Sequence, residues 1–254
     1  MRRILTAAAL AVLIASPALA EESRVVEFDL MMNGEVVGTR EVTLRYLPPE
    51  EGLREHEVRI TQTWTEIDTT VAGWELSIRN RATAHASDHR SSFTSSLSVN
   101  GERSEVQGRS IEDDRWSISE VRSGKVFTRE LRRTEVDLST MDLLDPIRSQ
   151  RIVDRSDIKL LSAETGTVLT GVLEDLGESE LILGDRTVAI QRWGIDTNEG
   201  RMVLAWDAEG LLVESSMVIR GQTIQTRLRP LPPPRAYGDF ELSMEAPAID
   251  EEEL

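Results

Sequence analysis

Three histidines, no cysteine and many carboxylates limit the chemistry this chain could carry out. His85 and His89 in "HASDH" are the pair that invites a metal ion, with Asp88 between them as an oxygen ligand. On a straight strand, residues four apart lie about 13 Å from one another, at about 3.3 Å per residue, too far to share one ion. The rings converge only if Ser87 and Asp88 make a tight turn, so a solvated hairpin tip is expected here and no metal site is assigned. Glu50-Glu51 and Asp113-Asp114 also fall at turns, whereas glycoside hydrolysis needs carboxylates facing one another across a groove. There is no G-x-S-x-G elbow and no glycine-rich phosphate loop. Without cysteine there is no thiol nucleophile, thiolate metal site or disulfide framework. No catalytic residue and no cofactor is assigned, and the chain reads as a protein other than an enzyme.

The five tryptophans are the other groups with chemistry to offer. Trp64, Trp74 and Trp206 fall on the apolar parity of their segments, Trp193 on a less apolar one, and Trp116 follows a charged turn. Large inward rings more often fill a core than meet a ligand, because each removes a large apolar area from water. Should the inward face hold a ligand, its wall is expected at Trp64 and Trp74. Trp206 belongs with Met202, Leu204 and Leu211, so "WDAEGLLVES" closes a hairpin.

The elements that must position these residues are strands. Apolar and polar residues alternate from Arg24 to Arg229. Val26, Phe28, Leu30 and Met32 share a face, Asn33-Gly34 turns the chain, and Val42, Leu44 and Tyr46 return inward. Val58, Ile60 and Trp64 are expected inward on the next strand, then Leu76, Ile78, Ala82 and Ala84 beside Trp74. Asn100-Gly101 and Ser123-Gly124 mark two more hairpins. Glu41, Arg59, Arg79 and Arg81 occupy the outward parity, where lipid would not tolerate them, which argues against an outer-membrane barrel. The alternation breaks at "EVDLSTMDLLDPIRSQ", where Ser139 and Asp145-Pro146 can cap short helical turns over about 139–150. Strands then resume at 158–163, 167–174, 179–183, 186–195, 201–206, 211–220 and 222–229. About a dozen consecutive antiparallel strands predict an all-β fold, a large curved antiparallel sheet or open half-barrel with a short helical segment near the middle.

Both ends of the chain differ from this pattern. Arg2 and Arg3, the apolar run Ile4 to Ala15 and the small residues of Ala18-Leu19-Ala20 have the form of a signal peptide, with cleavage expected before Glu21 and a periplasmic destination. From 230 to 254 the chain is proline-rich and then acidic, the composition of a flexible tail. The expected organisation is therefore a leader over 1–20, one antiparallel β domain over 21–229, and that tail. No later segment has the length and apolarity of a transmembrane helix. A net charge of −16 with no concentrated basic stripe argues against nucleic acid as a partner, since cations placed on phosphates drive that binding.

Three segments carry a resemblance: "LMMNGEVVGTREV", "DLLDPIRS" and "RMVLAWDAEGLLVESSMVIRGQTIQTRL". Together they resemble periplasmic proteins grouped as a domain-of-unknown-function family, which open with strand, G-x-x-x-G and strand and finish on a tryptophan-containing hairpin. The resemblance implies a curved antiparallel half-barrel wrapped on a helical turn, similar to lipoprotein-carrier folds and to the module that precedes transglutaminase-like domains. It carries over no site residue. Two functions follow: a secreted, non-catalytic envelope protein that binds a lipid or other apolar ligand in a concave sheet, or a periplasmic interaction or scaffold protein with an envelope protein partner and no small-molecule ligand.

Overall fold

The structure is a computed structural model and describes residues 22–47, 58–71, 73–86, 91–111, 115–152, 155–219 and 222–230. The expected leader, His89, Asp88 and the tail beyond Pro230 lie outside these residues. The strands are β1 (Glu22–Met32), β2 (Glu35–Leu47), β3 (Val58–Val71), β4 (Trp74–Ala86), β5 (Ser91–Val99), β6 (Glu102–Ile111), β7 (Arg115–Arg122), β8 (Lys125–Arg132), β9 (Leu138–Ser139), β10 (Asp157–Leu161), β11 (Val168–Leu183), β12 (Arg186–Thr197), β13 (Gly200–Asp207), β14 (Leu212–Ile219) and β15 (Gln222–Leu228). They form one curved sheet in the order β8-β7-β6-β5-β4-β3-β2-β1-β15-β14-β13-β12-β11-β10-β9. The fold is all-β and barrel-like, with β8 and β9 as its unpaired outer strands among the described residues.

Turn chemistry explains why neighbours in sequence are neighbours in the sheet. At Asn33-Gly34, Asn100-Gly101 and Ser123-Gly124 both central residues have positive φ (52° and 86°, 50° and 87°, 49° and 74°), as two-residue hairpin turns require. The pairing of β1 with β15 brings the ends of the sheet's chain together at its middle, with Phe28 opposite Leu228. Every pairing is antiparallel except that of β9 with β10, which is parallel. Two residues are too few to show a hydrophobic period, so this pairing is absent from the sequence pattern. β11 runs unbroken across the point where a turn was expected before Ser179: its register shifts between Asp175 and Gly177, and Gly177 has φ +79°. That glycine makes a β-bulge, which bends a strand without ending it.

The concave face is the core. Val26 and Phe28 of β1, Val42 and Leu44 of β2, Phe93 of β5, Val106 of β6, Ile118 of β7 and Leu204 of β13 are all buried in one apolar cluster. A plug from the break in the pattern lies against it: a 3-10 turn (Asp142–Leu144), the helix α1 (Pro146–Ser149), and a second 3-10 turn (Gln150–Ile152). Leu143, Leu144, Pro146 and Ile152 bury on the sheet. The turn joining β10 to β11 reaches across to the other end of the sheet. Gly166 there faces Val106 and Ile118, and its carbonyl accepts a hydrogen bond from Arg129 of β8. Curvature therefore brings the two ends into side-chain contact without closing a hydrogen-bonded barrel.

One strand reverses the expected parity. On β3 the buried residues are Arg59, Thr61, Thr63, Thr65 and Ile67, so Ile60 and Trp64 point to the outer face and Arg59 points inward. The reason is what β3 faces: Arg59 meets the plug carboxylate Asp145, and Thr65 accepts a hydrogen bond from Arg40. Polar demand from the interior outweighed the apolar side chains available on the other parity.

Candidate functional site

The interior polar groups are used to fix the plug. Asp145 caps α1, one carboxylate oxygen accepting from the backbone N–H of Ile147 at 2.9 Å and of Arg148 at 3.3 Å. Its other oxygen accepts from Arg59 Nε at 2.9 Å, with both side chains buried. Asp142 is shared likewise: Oδ2 accepts from the backbone N–H and hydroxyl of Ser139, each at 2.8 Å, and Oδ1 from Arg148 Nη1 at 2.9 Å. Asp145 thus caps α1 as expected, while the N-cap position of the 3-10 turn is Met141 and Ser139, on β9, accepts from the Asp142 N–H at 3.3 Å. Each carboxylate is occupied by two sets of donors, which suits it to hold structure.

The hairpin of β13 and β14 is the plug's seat. Trp206 is buried and its indole N–H donates to the Leu143 carbonyl at 3.3 Å. The Ser149 hydroxyl donates to the Gly210 carbonyl at 3.1 Å. Gly210 has φ +81°, and a Cβ placed there would stand 2.5 Å from the Pro146 carbonyl oxygen. "WDAEGLLVES" does close a hairpin, and its one glycine lets the plug approach.

Further along the interior, Arg40 of β2 is half-buried, and its Nε donates to Thr65 Oγ1 at 3.0 Å. Burial pulls its guanidinium below the ordinary value, and the charge of Glu164 in the β10 to β11 turn opposes that shift. Glu164 in turn accepts from the hydroxyls of Thr140 and Ser162, both at 3.2 Å.

The concave face remains open at its β7 and β8 end. There a groove of about 520 Å³ lies between Ile118, Glu120 and Arg122 of β7 and Lys125, Phe127 and Arg129 of β8. Arg122 faces Lys125, Glu120 faces Phe127, and Ile118 faces Arg129 across the strand pair, so all six share the face that Trp116 buries. Phe127 is 54% exposed, an aromatic ring left at the rim of a core face. Arg122 pairs with Glu120 on its own strand, and Arg129 reaches the Gly166 carbonyl. The arrangement offers an apolar floor and a cationic border.

The tryptophans expected to wall a ligand site are elsewhere. Trp64 is 39% exposed on the outer face, with the Arg81 guanidinium 4.7 Å from its ring centroid. Trp74 stands at the beginning of β4, 79% exposed opposite Val71. They are not brought together, and neither lines the concave groove. Trp116 and Trp193 join Trp206 in the core. Ring size together with parity could not separate these cases, because the parity of β3 is set by its interior partners. The groove residues of β7 and β8 gave no signal beyond ordinary alternation. His85 is exposed on β4, and no group of three His, Asp or Glu that could hold a metal ion occurs among the described residues. No helix among them is long and apolar enough to cross a membrane.

No protein-family model and no curated protein sequence matches this chain. Among solved structures, the chain is similar to the crystal structure of a β-barrel-like protein of a domain of unknown function, DUF1849, from Brucella abortus. The TM-score is 0.55 at 12% sequence identity, over 82% of this chain and 95% of that one. At that identity the likeness concerns the fold alone: a barrel-like domain of unknown function. It carries neither the lipoprotein-carrier nor the transglutaminase-linked comparison.

Proposed function

We propose that this is a secreted, non-catalytic protein of the cell envelope that holds an amphiphilic ligand in the groove at the β7 and β8 end of its concave face. The observation that carries the reading is the pairing of an exposed ring, Phe127, with Arg122, Lys125 and Arg129 around one opening of about 520 Å³. Binding grooves combine apolar walls with a few polar groups that fix orientation. An acyl chain would lie on Ile118 and Phe127, and an anionic head would meet the cations. Elsewhere the core cluster and plug bury the concave face, so the ligand enters from the sheet's end. The leader-like sequence over 1–20 supports export.

The test is expression of the whole chain in a Gram-negative host. Periplasmic recovery with an N-terminus at Glu21 is expected, together with a lipid adduct in native mass spectrometry that Phe127→Ser removes. Wild-type protein that carries no adduct, and takes up neither added palmitate nor phosphatidylglycerol, would overturn the binding reading in favour of an interaction protein.

A further inference from the structure

One interior cation stands without a counter-charge in contact. The two fully buried arginines, Arg59 and Arg148, each have a carboxylate at 2.9 Å, from Asp145 and Asp142. Arg40 of β2 is different. It shares the inward parity of Val42 and Leu44, and its cross-strand neighbours on that face are Phe28 of β1 and Thr65 of β3, both buried. Its Nε donates to Thr65 Oγ1, which leaves the N–H groups of Nη1 and Nη2. Among the described residues neither nitrogen has a hydrogen-bond acceptor, and no carboxylate pairs with the guanidinium. Nor are these nitrogens sealed away. They are not among the interior polar atoms that are both unpaired and out of reach of solvent, so they border space that a small molecule can enter. Glu164 is near enough for its charge to act on Arg40, but the contacts its carboxylate makes are with the hydroxyls of Thr140 and Ser162.

We propose that Arg40 is an anion site on the inner face of the sheet, which holds the carboxylate of an organic acid. A guanidinium is planar and stays charged, and its fork of parallel N–H groups matches the two oxygens of a carboxylate. Thr65 accepts from Nε and keeps a hydroxyl proton to donate. A neutral ligand would leave a desolvated charge unanswered, and that is the cost an anion removes. Burial itself draws the guanidinium below the ordinary arginine value. A doubly charged anion fits less well, because Glu164 already opposes it and one guanidinium answers only one negative charge. The cations of the concave groove, Arg122 and Lys125, do not supply the second: β7 and β8 lie five and six strands from β2 along the sheet, about 24 Å and more at about 4.8 Å per strand. The site is therefore separate from the groove and does not rest on what the groove holds. The carboxylate can belong to a short free acid or to the head of a longer one, and chain length distinguishes the two.

The experiment is calorimetric titration of the full chain, in a chloride-free buffer, with butyrate, with octanoate and with butanol as the uncharged control. Saturable binding of butyrate and none of butanol is expected. Equal affinity for octanoate marks a short acid as the occupant, and tighter binding of octanoate marks the head of a longer one. Arg40→Met should abolish butyrate binding, and Arg40→Lys, which keeps the charge but loses the fork, should weaken it about tenfold. Glu164→Gln should tighten it several-fold, because the opposing negative charge is gone. That variant also separates binding from architecture: were Arg40 and Glu164 only a structural pair, Glu164→Gln would lower the melting temperature and bring no gain in affinity. If Arg40→Met fails to fold, Arg40→Lys and Glu164→Gln apply the same test. Phe127→Ser, in the concave groove, should leave butyrate binding untouched, so the two sites fail separately. The proposal is overturned if butyrate does not saturate, if a folded Arg40 variant binds it as tightly as wild type, or if Glu164→Gln weakens it.

Discussion

Replacing Asp145 by alanine removes two things at once: the cap of α1 and the buried carboxylate 2.9 Å from Arg59 Nε, both side chains being about 5% exposed or less. Losing an N-cap costs about 1 kcal/mol, and leaving one charge of a buried pair without its counterpart costs about 3–5 kcal/mol. For a domain of this length that corresponds to a fall in melting temperature on the order of 10 °C. The two contributions separate by substitution. Asp145→Asn keeps an oxygen for the Ile147 and Arg148 amides, so it should lose nearly as much as alanine, less about 1 kcal/mol for the retained cap. Arg59→Met with Asp145→Leu removes both charges and should recover most of the loss, because an apolar pair of similar volume commonly replaces a buried ion pair at little cost. Urea unfolding followed by tryptophan fluorescence and circular dichroism, on wild type, Arg59→Met, Asp145→Leu and the double variant, gives the four free energies of the cycle and hence the coupling. A buried pair is also poorly screened, so the coupling should persist at 0.5 M salt. If Asp145→Ala costs under about 1 kcal/mol, or the double variant is simply the sum of the singles, then the plug is not held by this pair and the account of the inverted β3 parity fails with it.

Gly210→Ala should cost at least about 2 kcal/mol by urea unfolding, because φ is +81° and the new methyl meets the Pro146 carbonyl oxygen at 2.5 Å; a neutral substitution would show that the hairpin does not seat the plug. Trp206→Ala should cost about 3–5 kcal/mol and leave lipid occupancy unchanged, whereas Trp64→Ala, half-exposed outside the core, should cost under about 1 kcal/mol. The exposed Asp68 carboxyl, held below the ordinary aspartate range chiefly by its hydrogen bond from Arg79, should titrate low by NMR and move back up in Arg79→Gln. A depressed carboxylate adds stability that is present above its unfolded pKa and is lost as pH falls through the folded one, so any contribution of this pair should vanish only in acid.

How far these features could be read from the chain differs by element. The faces of β1 and β2 were legible because Val26, Phe28, Val42 and Leu44 are buried as their alternation demands. The type of turn was legible wherever asparagine or serine preceded glycine, since positive φ at two successive residues selects those pairs. The plug was legible as a break with caps, because Asp145-Pro146 states its helical start locally. What it would touch was not. Beside their local partners, Asp145 meets Arg59 of β3, 86 residues away, and Asp142 meets Ser91 of β5, 51 residues away, and nothing in a local pattern announces a buried arginine at 59 or a buried serine at 91. Reading apolar residues as inward therefore inverted β3 and placed Trp64 inside.

The inverted strand has its physical origin in the plug. A plug that enters a sheet by a capped helical turn brings carboxylates and backbone ends with it, and these must meet polar groups on the face they cover. β3 supplies Arg59 and its threonines on that face, which leaves Ile60 and Trp64 to the solvent side. On β4 the concave residues at the same level are small, Ala82 and Ala84, and Thr83 turns outward between them. A sheet read as having one dry face and one wet face has instead a polar patch on its inside and an exposed ring on its outside, and both follow from what the plug needs in order to be buried.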